Sequence, residues 1–521
     1  MAAKVSASKA GIRRPGRRYG LIAGCMLGGA FGLWLAVSHW GGARAALPGR
    51  PVLSRQPAEL ARLISQAELR AGSDGTAIEG LIELGSLYHA NGQQAAAAAC
   101  WRHLAAVQPG NARWPYLLAD IRRSESDYPA MVALLQNAAA LDPTYAAAWL
   151  RLADYEFKTG ALAAAAQHYT QRLALLPRDP YARLGLVRIA LQQGRREDAR
   201  NQVEALIADE PRFSSARNLH AEMLAAAGDR DGARLQRWLG REAGRHREAD
   251  DPWLDELVAW CHDPQALQLL ATVQYQTDRR DAARTLMERA VALAPNDPNL
   301  REAAGNLYLK LGDATQARAT LAAGLAAAKN SPVTIPHYIY LNQACRQSGQ
   351  SAEGLRAVQE GLSRHPESFE LHNALGLTLE ELDRPQEAFI AYRRSVELNP
   401  HDAESNFNLA ASLLQQQRFD EARAHLKSAL TLQPTFPKAL KVLAKLELES
   451  GHPEAAGEFL LPLYEAQTGD PQVRDLMVEW HLLARRTADA RKILQEGLAV
   501  ARLTGNAAEA AACEATLEKL R

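Results

Sequence analysis

Paired metal ligands and catalytic signatures are missing from this 521-residue chain. Its five cysteines, Cys25, Cys100, Cys261, Cys345 and Cys513, form no CxxC pair and lie too far apart for a disulfide framework. Cys261-His262 has no further ligand nearby at metal spacing, which argues against zinc. There is no HExxH, no P-loop and no GxSxG, so the common hydrolase and nucleotide-binding chemistries have no footing. A charge excess is missing too. Lys+Arg number 60 against 59 Asp+Glu, and a net +1 lacks the basic stripe that nucleic acid requires. No cofactor, no metal and no catalytic residue is expected.

What is present is a period. Ala97, Met131, Ala165, Ala199 and Ala233 stand 34 residues apart, as do Gly354, Ala388, Ala422, Ala456 and Ala490. Ala283 and Ala317 keep the same step, with gaps of 50 before Ala283 and 37 before Gly354. A residue class recurring at this interval marks a stacked array of helical hairpins. In the unit Ala146 to Asp179, Trp149, Leu152 and Ala153 share helical spacing, Lys158-Thr159-Gly160 supplies a turn, and Pro177 ends a second helix. Ala153 and Ala165 are expected where the two helices approach most closely, because a larger side chain would overpack the contact. Each pair buries one face, so neighbours must stack to cover the other.

These units resemble the tetratricopeptide repeat (TPR) family. The first carries Leu84-Gly85, Tyr88, Gly92, Ala97, Trp101 and Pro109 in the family's order. The ninth carries Leu375-Gly376, Ala388, Tyr392 and Pro400, and the tenth Leu409-Ala410, Ala422 and Pro434. The resemblance implies an all-α, right-handed superhelical solenoid of about twelve hairpins. Such arrays grow by addition and leave no stretch of catalytic-domain size over, so an enzyme is not expected.

The chain divides into eight segments on this reading. Residues 1–18 form a basic tail and 19–40 one transmembrane helix, followed by a linker over 41–57. An N-terminal capping helix takes 58–77 and the first repeat block 78–245. A tryptophan-containing insertion covers 246–263, the second block 264–504, and a C-terminal capping helix 505–521. No charged residue occurs from Tyr19 to Ala43, which is close to the ~20 apolar residues that span a bilayer. Lys4, Lys9, Arg13, Arg14, Arg17 and Arg18 precede it, and Arg44, Arg50 and Arg55 follow. Six positive charges against three point the N-terminus to the cytoplasm, and the repeats then face the periplasm from the inner membrane.

Three alternatives stay open at the N-terminus. Ala43-Arg44-Ala45 offers a signal-peptidase site that would release a soluble periplasmic protein. Ile22-Ala23-Gly24-Cys25 resembles a lipoprotein box, and inverted insertion would leave the repeats in the cytoplasm. Gly20, Gly24, Gly28 and Gly32 recur every four residues, a spacing that lets membrane helices pack backbone to backbone and form a homodimer.

Candidate partner-binding residues come from two places. Trp253, Leu257 and Trp260 share one helical face in the insertion, behind an Asp251-Pro252 start. That helix either covers the junction between blocks or presents its tryptophans to a partner, as binding hot spots do. The family implies that the first helix of each hairpin lines a concave groove for a protein or peptide. There Lys438, Lys441 and Lys445 share a face, with Asn408 on the preceding unit. The family's carboxylate clamp also wants Asn where Ala411 stands, so the full motif is absent. Arg113, Tyr116, Asp120, Tyr181, Arg346 and Glu380 add mixed polar and aromatic character to the expected groove. The expected function is a membrane-anchored scaffold or adaptor in an envelope assembly. The alternative is a regulatory subunit controlling a separate enzyme, for example in polysaccharide export or cytochrome maturation.

Overall fold

Two apolar helices joined by a tight turn need a residue that tolerates left-handed backbone, and this chain supplies one in each of its twelve described hairpins. The computed structural model describes residues 49–50, 58–73, 75–242, 249–328, 334–467 and 469–520. The basic tail, the 19–40 segment with Gly20, Gly24, Gly28 and Gly32, and Cys25 lie outside the described residues. Among the described residues there is no strand, and no helix is long and apolar enough to cross a membrane. A helix over Ala58–Ala71 precedes five hairpins that run from Ala77 to Glu242. The short helix Pro252–Val258 follows, then seven hairpins from Pro264 to Thr504, and a last helix Ala507–Lys519. The first helix of each hairpin is called A and the second B.

Gly92, Ser126, Gly160, Gly194, Gly228, Asp278, Gly312, Gly349, Asp383, Gln417, Gly451 and Arg485 all have positive φ. Each closes an A helix in the same way, with the next N–H reaching back five residues: Gln93 to the Tyr88 carbonyl at 2.8 Å, Arg418 to that of Leu413 at 3.0 Å. This is the Schellman bond, and it satisfies carbonyls the helix end would orphan. The next helix starts are marked as plainly. Asp179, Asp263, Asp297 and Asp470 each cap an A helix that opens on proline, which has no N–H to lose there.

The periodic small residues lie in the B helices, and all ten alanines among them are fully buried. A second small position on the A helix faces a large residue 16 further on. A Cβ added to Gly85 would sit 2.7 Å from the Trp101 ring, and one on Gly376 would sit 2.3 Å from that of Tyr392. Gly354 departs from alanine for a local reason. Asn342 occupies its hairpin's small A position, buried, and a Cβ on Gly354 would meet the Asn342 amide at 3.0 Å and Cys345 Cβ at 3.1 Å.

The described chain forms two compact units. The first ends at Thr144 and includes Pro252–Cys261. It holds the helix Ala58–Ala71 and two hairpins, Ala77–Ala90 with Gln94–Val107 and Arg113–Ser124 with Tyr128–Leu141. Gly80 lets the first helix approach, since a Cβ there would lie 2.2 Å from the Ala71 nitrogen. Trp101 stacks on Trp114 with centroids 5.7 Å apart, and Leu60, Ile64, Leu84 and Tyr88 complete the core around them.

The second unit holds the other ten hairpins and the last helix. It contains a contact that sequence order does not suggest. Helix Arg230–Glu242, the B helix of the fifth hairpin, packs on Thr487–Thr504, the B helix of the twelfth. Arg234 donates to both Glu496 oxygens at 2.9 Å, and Tyr464 donates to the same carboxylate at 2.7 Å. Lys492 pairs with Asp231, while Trp238, Leu239 and Val500 are buried together. The Lys492 hydrogen bond holds the Asp231 carboxyl below its usual range. A depressed folded value means this contribution is present at neutral pH and is lost as pH falls through that value.

Two outcomes test these packing arguments. Gln417→Gly should raise stability by about 1 kcal/mol, because a non-glycine left-handed residue costs roughly that much; an unchanged thermal melt would show no strain at this turn. At the long-range contact, a Cβ on Gly469 would lie 1.6 Å from the Trp238 ring. Gly469→Val should therefore destabilise the second unit by ~2 kcal/mol, as overpacking does. Combined with Trp238→Ala it should add little further loss in a double-mutant cycle, and full additivity would remove the contact from the native state.

Candidate interaction surface

Curvature decides which helices a ligand can reach. In the second unit, A helices of successive hairpins touch one another, as Pro298–Lys310 touches both Pro264–Gln276 and Ile335–Gln347. The contacts between B helices of neighbouring hairpins are weaker. The A helices therefore form the inside of the curve.

That inner surface is polar and largely self-paired. Arg346 reaches Glu381 on the next A helix at 2.8 Å, and Ser351 donates to the same carboxylate. Asn342 donates to Thr378 at 2.6 Å, deep between hairpins. The lysine face follows the same habit. Lys438 binds Glu404 at 2.8 Å, Lys441 binds Asp470 at 3.1 Å, and Lys445 lies 3.6 Å from Glu449. Lys438 also sits over the Phe407 ring. Asn408 is buried, with its amide given to Asn373 at 2.9 Å, so it ties the ninth and tenth hairpins together. Pairs this exposed contribute roughly 0–1 kcal/mol each, so an anion of higher charge density could displace them.

The tryptophan segment lies in the first unit. Pro252–Val258 touches A helices Ala77–Ala90 and Arg113–Ser124. Leu257 is buried, and Trp253, Leu254 and Trp260 are half-buried against the same core. Trp253 meets Tyr116 edge-on at 5.3 Å, and Glu256 pairs with Arg113 at 2.5 Å. Asn91 donates to the Trp260 carbonyl at 2.8 Å. Arg113 and Tyr116, expected to face a groove, therefore contact the chain's own insertion. Sequence reasoning had no signal for that pairing, because 143 residues separate Arg113 from Glu256, the side chain that meets it.

Among the described residues no group of three His, Cys, Asp or Glu side chains is placed to hold a metal ion. The described cysteines, Cys100, Cys261, Cys345 and Cys513, are buried and unbonded to one another. Burial pushes the Cys100 thiol up to about 12 and that of Cys345 to about 11, which leaves almost no reactive thiolate at neutral pH.

Comparison with known proteins gives the same repeat over most of residues 116–479. Residues 156–223, 276–333 and 413–479 match the tetratricopeptide repeat, as do 116–182, 343–403 and 391–424. A human protein named Protein O-mannosyl-transferase TMTC1 is 25% identical over 213 residues, which is 40% of this chain and 24% of that protein. The chain thus spans about a quarter of that relative's length. Among solved structures, the Thermus thermophilus TPR protein TTC0263 is 26% identical, covering 36% of this chain and 99% of its own, with a TM-score of 0.31. Yeast Tom70 is 15% identical, covering 83% and 99%, with a TM-score of 0.34.

The lysine face can be tested directly. Glu404→Gln with Asp470→Asn frees two lysines, and Asn preserves the cap that Asp470 provides to Pro471–Leu483. A labelled hexaglutamate peptide should bind this variant about fivefold more tightly than wild type at low salt, with the gain screened by added salt. Equal, salt-independent binding would rule the face out as an anion site.

Proposed function

Because the chain belongs to the tetratricopeptide repeat family, we propose that it is a membrane-anchored scaffold that holds protein partners in an envelope assembly. The observation that carries the scaffold reading is the inner surface of the A helices, which offers paired polar groups and aromatics across successive hairpins. Its partner is a protein or peptide, and nucleic acid is not expected at a net charge of +1.

Anchoring rests on the sequence. The uncharged run over 19–40, with six positive charges before it, supports a single inner-membrane pass with the repeats in the periplasm. Gly20, Gly24, Gly28 and Gly32 add a surface on which two such helices could dimerise. Cleavage at Ala43-Arg44-Ala45 would instead give a soluble periplasmic protein with the same binding array.

A second reading is a subunit that recruits or controls a separate enzyme. It draws on the human relative whose name is that of a transferase, three quarters of which falls outside the match. Two measurements decide. A C-terminal alkaline phosphatase fusion should be active and a β-galactosidase fusion inactive, and the reverse pattern would place the repeats in the cytoplasm. Purification from detergent-solubilised membranes should recover non-enzymatic envelope proteins. A single stoichiometric enzyme in their place would transfer the reading to the regulatory subunit.

A further inference from the structure

The segment Pro252–Cys261 is docked as a ligand would be. Its anchors are Trp253 and Leu257, at i and i+4 on the helix as in an amphipathic helix that enters a groove, and Trp260 in the turn that follows, where the helix has already ended at Val258. They lie on the A helices of the first two hairpins and bury a leucine between two half-buried tryptophans. At the rim an acidic side chain meets a basic one, Glu256 with Arg113, and the Asn91 amide takes a main-chain carbonyl. A central apolar cluster ringed by polar contacts is the anatomy of a binding hot spot. The helix itself has seven residues, too few to be stable alone in water.

We propose that the A-helix face of the first two hairpins is a binding site for a partner's acidic amphipathic helix with Trp and Leu anchors, and that Pro252–Cys261 fills it in cis until such a helix displaces it. The proposal rests on reading the array as a binding scaffold, but not on anchoring or topology. Magnitudes favour a closed resting state. A tethered segment acts at an effective concentration of about millimolar. A free seven-residue helix of the same chemistry would therefore not compete, whereas a partner that adds contacts beyond the segment would.

The test uses the full-length chain in detergent and a fluorescein-labelled peptide of residues Asp250–His262 with Cys261→Ser. Wild type should bind it weakly. The chain carrying Trp253→Ala and Leu257→Ala, with its own segment loosened, should bind at least about tenfold more tightly. Adding Arg113→Glu should abolish that gain, and a peptide with Glu256→Lys should restore it. Hydrogen exchange across residues 77–141 reports whether the two hairpins remain folded. Folded hairpins without a gain in peptide binding would overturn the proposal. So would hairpins that unfold in the loosened chain, because the segment would then be a fixed part of the core. A wild-type dimer whose mass halves in the loosened chain would overturn it too, by making a second copy the occupant. Since the assay uses purified chain, its failure is separable from a failed pull-down or an inverted topology.

Discussion

Everything in this chain depends on the closeness with which two short helices can cross. A B-helix alanine, buried completely at Ala97, Ala165 and Ala388, lets each hairpin close. The A helix answers with a small residue opposite a large one: Gly85 under Trp101, Ala153 sixteen residues before Tyr169, Gly376 under Tyr392. Volume is conserved across the pair rather than at either position, as dense packing requires. Asn342 shows the rule under stress. A bulky polar group at the small position is tolerated because Gly354 gives way and Thr378 accepts its amide proton.

That constraint explains why so much of the fold was legible. The period of small residues, the prolines after the B helices and the Asp-Pro starts are all local, and each has a local physical cause. The turns could have been read more fully. The left-handed residue also recurs in each described hairpin, but Ser126, Gln417 and Arg485 hide it from anyone looking only for glycine. The candidate sites were less legible because spacing along a helix says nothing about what lies across from it. Lys438, Lys441 and Lys445 do share a face, yet their carboxylate partners Glu404 and Asp470 come from neighbouring hairpins. Asn408 donates to Asn373 of the preceding hairpin, which its position along the helix does not reveal. The site at which Trp253 docks could not be inferred at all without the fold.

A repeat array is usually a sum of nearest-neighbour terms, free to fray from either end. The contact of Arg234, Trp238 and Leu239 with Glu496 and Val500 breaks that description for the second unit. Closing a flexible loop of ~260 residues would cost about 5 kcal/mol from the logarithmic term alone, more than one bidentate ion pair and a small apolar cluster would offset. Most of that closure is made in advance, because most of the described residues between belong to folded hairpins and not to a random chain. The long-range contact is therefore stable only while the hairpins between it hold their geometry. It links the fifth and twelfth hairpins into one cooperative element, so loss of any hairpin between them should loosen both. The acid sensitivity of Asp231 acts on the same link.

The same logic bears on binding. An exposed array would leave its inner carboxylates and cations to water, but here Arg346, Lys438 and Lys441 are spent on Glu381, Glu404 and Asp470 of adjacent hairpins. These pairs bridge hairpins, so a ligand that takes one partner also removes a tie between neighbours. Each pair is individually weak, which keeps exchange affordable. The coupling makes recognition and curvature one property. A ligand that swaps several inter-hairpin pairs at once must change the angle between hairpins, and one that touches a single pair need not. Binding strength along the inner face is thus governed less by any single lysine than by how many adjacent hairpins a partner spans.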